Sequence, residues 1–300
     1  CTLWRPPPGV WPRCLPSPRL GSPSAATKRL KGASGIILTP FLVALSFLTV
    51  FPAIRHKRPA PREISDSRAY YPAVGLLLGL LLVGVERGAR ELFPPYLTAA
   101  LLLVLLLVAT RGLHLDGFMD VCDGLLGGYT PQRRLEIMRD SHVGSFAVAG
   151  VASLLLVKYG ALLSLLTLTA KGGSPIPWAL LLFPLLSRWA MVIVVGAFPY
   201  VRGQGLGSPF HQGRGRLATA LAMVAAAAAA VLLSGMGGAA MLLGVSFLAW
   251  LLGCGMAKLL GGLTGDAYGA TNEVTEVAAL MAAVALARYG LLEPLPLVLR

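Results

Sequence analysis

Charge is what this chain is short of. Charged residues fill 13% of its 300 positions, and only 13 residues are acidic. A soluble domain carries roughly twice that charged fraction, so an ordinary water-soluble globular class is excluded. Cysteine is scarce as well. Cys1, Cys14, Cys122 and Cys254 have no metal-ligand spacing and no compact extracellular domain to staple. Cys122 reads as a small side chain packed on a helix. An aromatic-rich basic module is missing too, so the net charge of +13 does not point to nucleic acid.

What the chain has in abundance is apolar sequence. Hydrophobic residues make up 56% of it, and the mean hydropathy is +0.72. Runs near the length that crosses ~30 Å of hydrocarbon fall at 36–54, 72–86, 95–113, 145–168, 177–199, 217–235, 238–258 and 277–298. The second is short and the last contains Pro294 and Pro296, so the expected count is seven or eight. Each is expected to be helical, because an isolated strand cannot satisfy its backbone in lipid. The expected fold class is therefore all-α, a polytopic integral membrane bundle embedded in the bilayer.

Residues 1–35 are rich in Pro, Ser and Arg, show no apolar periodicity, and read as a disordered basic extension. The sequence does not begin with Met, so this segment is expected to be a presequence or a non-native start, outside the fold. Residues 36–300 form a single membrane-embedded domain. Its charge is concentrated in loops 55–71, 114–144, 200–216 and 258–276, whereas the connections near 87–94, 169–176 and 235–237 are short and nearly neutral. Counting spans puts all four charged loops on one side, and the positive-inside tendency makes that side the cytoplasm. The same count places the basic N-terminus outside. Either segment 36–54, interrupted by Pro40, is re-entrant, or the extension is not native.

One stretch departs from its surroundings. "LDGFMDVCDGLLGG" (115–128) brings Asp116, Asp120 and Asp123 into eight positions directly after an aliphatic run. The spacing i, i+4, i+7 stacks them on one helical face. Without counter-charge such a face repels itself, and a hard divalent cation that shares its shell with phosphate oxygens relieves the repulsion. The bland reading is a polar helix end at the membrane surface; the metal reading is preferred. "QRRLEIMRDSHVGS" (132–145) follows, offering Arg133, Arg134, Arg139, Ser141 and His142 beside a fourth carboxylate, Asp140. Guanidinium groups grip phosphate bidentately, and Gly124, Gly127 and Gly128 allow close backbone approach.

Further along, Arg188 lies deep in the fifth span, where a charge is costly and marks a functional site by default. Arg202 stands among glycines in "PYVRGQGLG". "GGLTGDAYGATNEVTEV" (261–277) adds Asp266, Asn272, Glu273 and Glu276, expected near the same face. The two glutamates also have a simple reading as N-terminal helix charge bias.

These blocks, with "ALSFLTVFP" (44–52), "YYPAVGLLLG" (70–79) and "SRWAMV" (187–192), occur in an order that resembles the cobalamin synthase family, the adenosylcobinamide-GDP ribazoletransferases of bacteria and archaea. The likeness runs from about residue 38 to the C-terminus. Met119 and Cys122 depart from the smaller or different neutral residues expected there; every carboxylate is in place. The resemblance implies a Mg²⁺-dependent phosphotransferase in the cytoplasmic (inner) membrane. Its donor would be adenosylcobinamide-GDP and its acceptor α-ribazole or the 5′-phosphate. A ribose hydroxyl would attack the phosphorus on the cobinamide arm and release GMP. In this reading Asp116, Asp120, Asp123 and Asp140 hold Mg²⁺ and one carboxylate accepts the hydroxyl proton. Arg133, Arg134, Arg139, Ser141, His142, Arg188, Arg202, Asp266, Asn272, Glu273 and Glu276 contact the substrates. The bilayer is a partner and self-association is left open. A CDP-alcohol phosphotransferase would want Ala-Arg after Asp116-Gly117, where Phe118-Met119 stand. An ion-coupled transporter would place its acids mid-span rather than at span ends.

Overall fold

A computed structural model describes residues 39–52, 59–170, 176–201 and 215–292. The extension 1–35 lies outside them. Helices account for nearly all of the described chain, in the order α1 (Thr39–Leu48), α2 (Pro61–Ser67), a 3₁₀ turn (Arg68–Tyr70), α3 (Tyr71–Leu92), α4 (Pro95–Ala109), α5 (Leu113–Gly127), α6 (Pro131–Ile137), α7 (Ser145–Ala170), α8 (Ile176–Ala197), α9 (Gly215–Leu260) and α10 (Gly265–Arg288). No strand occurs among the described residues; a lone parallel bridge joins Tyr200 to Leu263.

Five of these helical stretches are long and apolar enough to cross a membrane: 61–92, 145–168, 177–197, 215–260 and 265–288. A sixth candidate is the pair α4 and α5, bent by 89°. The chain turns there through Arg111 and Gly112, both in the left-handed region at φ 56° and 62°. Glycine meets that conformation without steric cost; an arginine does not. The molecule is thus an all-α, multi-pass membrane bundle.

Several expected spans change shape. The described residues of segment 36–54 form the ten-residue α1, ~15 Å long at 1.5 Å per residue and by itself too short to span. Segment 72–86 belongs to a stretch of 32 residues that continues to Leu92. Candidates 217–235 and 238–258 are the two arms of α9, whose helical backbone breaks at Ser234 and Gly235. Gly238 there backs onto the carbonyl of Ala230, so the chain doubles back. The largest correction concerns 258–276. Helix α10 begins at Gly265, with the Thr264 hydroxyl accepting from the Ala267 N–H at 3.2 Å. Asp266, Asn272, Glu273 and Glu276, expected in a loop, are therefore helical residues.

Helix α8 is the centre of the bundle, almost wholly buried and packed against α3, α9 and α10. Lipid offers no hydrophobic drive between helices, so close packing of small residues takes over. Gly75 and Gly79, one turn apart on α3, lie directly against the α8 backbone at Pro184–Leu185 and Leu180–Leu181. The α5–α10 crossing uses the same device twice. A β-carbon on Gly117 would stand 2.9 Å from the Asp266 Cα, and one on Gly269 would stand 3.0 Å from the His114 carbonyl oxygen.

Three contacts gather the four charged segments at one end of the bundle. The Arg68 guanidinium abuts Gly215. Leu263 N–H donates to the Pro199 carbonyl at 2.8 Å and Val201 N–H to the Leu263 carbonyl at 2.9 Å. Arg134 Nη1 donates to the Leu259 carbonyl at 3.0 Å.

Candidate functional site

The aspartate helix forms as the spacing requires. Asp116, Asp120 and Asp123 all lie on α5, a single run from Leu113 to Gly127. Their surroundings differ. Asp116 is exposed at the mouth of a cavity of ≈ 170 Å³ between α5, α8 and α10, and Asp266 of α10 shares that cavity. The glycine-mediated crossing of α5 and α10 is what brings these two carboxylates to one place. Asp120, half-buried, is one turn further along α5. Asp123 has a different employment. Its Oδ2 accepts from the Gly144 N–H at 2.7 Å and its Oδ1 from the Ala147 N–H at 2.9 Å. Both oxygens thus cap the first turn of α7, whose amides lack intrahelical partners. Next to it, Cys122 packs its sulfur on Gly150 of α7, the bland role its size suggests.

The residues after α5 form an exposed segment. Arg133 pairs with Glu136 at 3.1 Å on the surface. Arg134 is used as a fastener, its Nε donating to the Gly128 carbonyl at 2.9 Å while Nη1 reaches Leu259. Asp140 accepts from the His142 backbone N–H at 3.0 Å and contacts its ring at 2.6 Å. Those contacts with His142 hold the Asp140 carboxyl below its ordinary range. Arg139 and Ser141 are exposed. Arg202 lies outside the described residues. The structure does not bring Asp140 and its neighbours to the Asp116 cavity.

A second group of expected residues meets deep inside the bundle. Arg188, Glu273, Glu276 and Asn272 are all buried, and they converge near the midpoints of α8 and α10. Lys158, near the middle of α7 and 1% exposed, completes the cluster. Its Nζ donates to Glu273 Oε2 at 2.6 Å and to Glu276 Oε2 at 2.7 Å. Arg188 Nη1 pairs with Glu276 Oε1 and donates to Ser187 Oγ at 2.9 Å. Asn272 Nδ2 donates to Glu276 Oε1 at 3.2 Å. Two cations therefore meet two anions, which is how buried charge is tolerated. The expectation that acids sit at span ends fails for Glu273 and Glu276, which lie near the middle of α10. Lys158 could have been found by the rule that flagged Arg188: a charge amid an apolar span.

Aromatic residues of the cavity also escaped the sequence reading. Phe47 and Tyr71 stack with ring centroids 6.3 Å apart, and Tyr200 and Tyr268 tilt at 35° with centroids 6.4 Å apart. All four line the cavity, as does His114. Only the adjacency of His114 to the aspartates gave a signal.

Among the described residues, no three His, Cys, Asp or Glu side chains gather into a metal-ligand cluster. The donor set at the cavity is nonetheless hard oxygen. Mg²⁺ is commonly held by one or two carboxylates, with water and substrate phosphates supplying the rest, and Asp116 and Asp266 fit that pattern.

The family model described as Cobalamin-5-phosphate synthase matches residues 40–284. The chain belongs to that family. The matched residues run from α1 into α10. A relative from Desulfitobacterium hafniense (strain Y51) is 41% identical over 255 residues, covering 81% of this chain and 96% of that protein. Relatives from Syntrophobacter fumaroxidans and Stutzerimonas stutzeri are 41% and 42% identical, covering 82% and 81% of this chain and 98% and 97% of theirs. All three are named adenosylcobinamide-GDP ribazoletransferase. No solved structure matches the chain significantly.

Proposed function

We propose that this chain is an adenosylcobinamide-GDP ribazoletransferase, joining α-ribazole or its 5′-phosphate to the adenosylcobinamide-phosphate group of the donor and releasing GMP in the last assembly step of cobalamin. The observation that carries the reading is the cavity at the charged end of the bundle, aromatic inside and flanked at its mouth by carboxylates from two helices. Phosphoryl transfer asks the protein mostly for positioning and charge neutralisation. A ribose hydroxyl at this mouth attacks the phosphorus on the cobinamide arm; the bond from that phosphorus to the GMP oxygen breaks.

Mg²⁺ held by Asp116 and Asp266, with Asp120 within one turn, would neutralise the donor's pyrophosphate and the charge that builds on the departing GMP. Asp123 and Asp140 stand apart from this set because the α7 amides and His142 engage them. The hydroxyl proton passes to one of the mouth carboxylates. Arg134, fastened at the junction of α5, α6 and α9, and Arg139 beside it give this end of the bundle positive charge for an anionic donor. The charged end faces the cytoplasm, in the inner membrane of a bacterium or archaeon, where the positive-inside tendency places it.

The test is direct. Purified protein with Mg²⁺, adenosylcobinamide-GDP and α-ribazole should release GMP in step with formation of the nucleotide-looped product. Chelation of the metal should stop it. Absence of GMP release under these conditions, with folded protein, would overturn the reading.

A further inference from the structure

Two substrates must share this end of the molecule, and the cavity has room for only part of one. An apolar protein cavity of about 150 Å³ takes a benzene-sized ring; at ≈ 170 Å³ this one suits a single flat ring system, not a nucleoside diphosphate. Its walls are two aromatic pairs, Phe47 with Tyr71 and Tyr200 with Tyr268. Met191 and Val195 of α8 add apolar surface. Parallel and tilted rings of this kind grip a planar aromatic group through offset stacking and edge contacts.

Polar side chains in that lining are the mouth carboxylates, three tyrosine hydroxyls and His114, and the last is distinctive. His114 is 2% exposed, lines the cavity, and neither ring nitrogen has a hydrogen-bond partner among the described residues. A buried imidazole left in that state costs free energy unless something pairs with it. Its surroundings include Arg188, Glu276 and Lys158 from the buried cluster behind it. On the other side is the cavity.

The bases of the two substrates differ in what they ask of such a site. Guanine carries donors and acceptors on two edges and needs several fixed partners. A benzimidazole base linked to ribose through one nitrogen offers a single acceptor, the other ring nitrogen, on an otherwise apolar bicycle. We infer that the cavity is the acceptor's base subsite: the aromatic pairs enclose a benzimidazole-type ring, an N–H of His114 donates to its free nitrogen, and the ribose emerges at the mouth beside Asp116 and Asp266. The inference rests on the ribazoletransferase reading and adds to it which substrate enters and what selects its base. It also explains how the attacking hydroxyl reaches the carboxylates, since a buried base leaves only the sugar at the mouth.

The experiment uses the full chain in lipid nanodiscs and two acceptors. One is α-ribazole; the other is its indole counterpart, in which the free ring nitrogen is a C–H and the ribose is unchanged. GMP release is followed as each substrate is varied separately. The wild type should use the indole acceptor with kcat/KM roughly tenfold below that for α-ribazole, the scale of losing one hydrogen bond. In His114→Leu the two acceptors should become equivalent. Val195→Phe, which places a ring in the cavity, should raise the KM for the acceptor and leave that for the donor unchanged. Equal use of both acceptors by the wild type would overturn the inference, and so would a Val195→Phe effect confined to the donor. Because the wild-type comparison needs no variant, misfolding of either substitution does not protect the idea. If α-ribazole itself elicits no GMP, the underlying activity fails instead, a result that the acceptor comparison cannot mimic.

Discussion

Asp116 and Asp123 sit seven residues apart on one helix, yet they do different things. Asp116 opens into the cavity that Asp266 shares; Asp123 spends both oxygens on the amides of α7. Replacement should separate them. Asp116→Asn and Asp266→Asn keep shape but remove charge where pyrophosphate is to be neutralised. Each should lower kcat roughly 10²–10³-fold, the range for losing one fixed electrostatic partner of a transition state, and raise the Mg²⁺ concentration needed for half-maximal rate. Steady-state GMP release against Mg²⁺ reads both. Asp123→Ala should instead cost about 1–2 kcal/mol of stability, as loss of a helix cap does, seen as a lower unfolding temperature in detergent. A normal unfolding temperature with a steeply altered Mg²⁺ dependence would return Asp123 to the proposed metal site.

Between elements, the buried charges act as a staple for α7, α8 and α10. Lys158 and Arg188 come from the first two, Glu273 and Glu276 from the third. Removing one partner strands a charge where neither water nor lipid can solvate it, at about 3–5 kcal/mol. Lys158→Met and Glu273→Gln should each destabilise on that scale. Together they leave Arg188 paired with Glu276, so the double variant should be more stable than either single one. Thermal unfolding of the four proteins completes the cycle, and simple additivity would show that the pair is not coupled. Only part of this staple was legible beforehand. Arg188 stood out against its span and Glu273 and Glu276 were singled out as substrate contacts, but Lys158 was not, because no local pattern shows that a lysine 115 positions away will neutralise one of them.

For the molecule as a whole, the contacts of Arg68 with Gly215, Tyr200 with Leu263 and Arg134 with Leu259 put the charged segments at one end. Single cysteines placed at Gln132 and Lys258, in a background with the native cysteines replaced, should therefore react with a membrane-impermeant thiol reagent from the same side. In the orientation proposed above, that side is the cytoplasm. Labelling from opposite sides would break the topology and with it the shared site.

The sequence alone determined the membrane class, the helical character of the spans and the aspartate face. Each follows from local quantities: hydropathy over about twenty residues, the backbone's need for internal hydrogen bonds in lipid, and the 3.6-residue period. It also carried the family resemblance, since "LHLDGFMDVCDGLLGG" lies on the page as plainly as in the fold. Tertiary structure alone decided which carboxylates share a cavity, where α10 begins, and that His114 and four aromatic rings from distant segments line one space. Those outcomes depend on helix crossings set by Gly117 and Gly269 meeting the backbone of a partner helix about 150 positions away along the chain. Contacts at that separation leave no periodic trace in a single sequence, because the physical term that fixes them is close packing between helices rather than any preference within one.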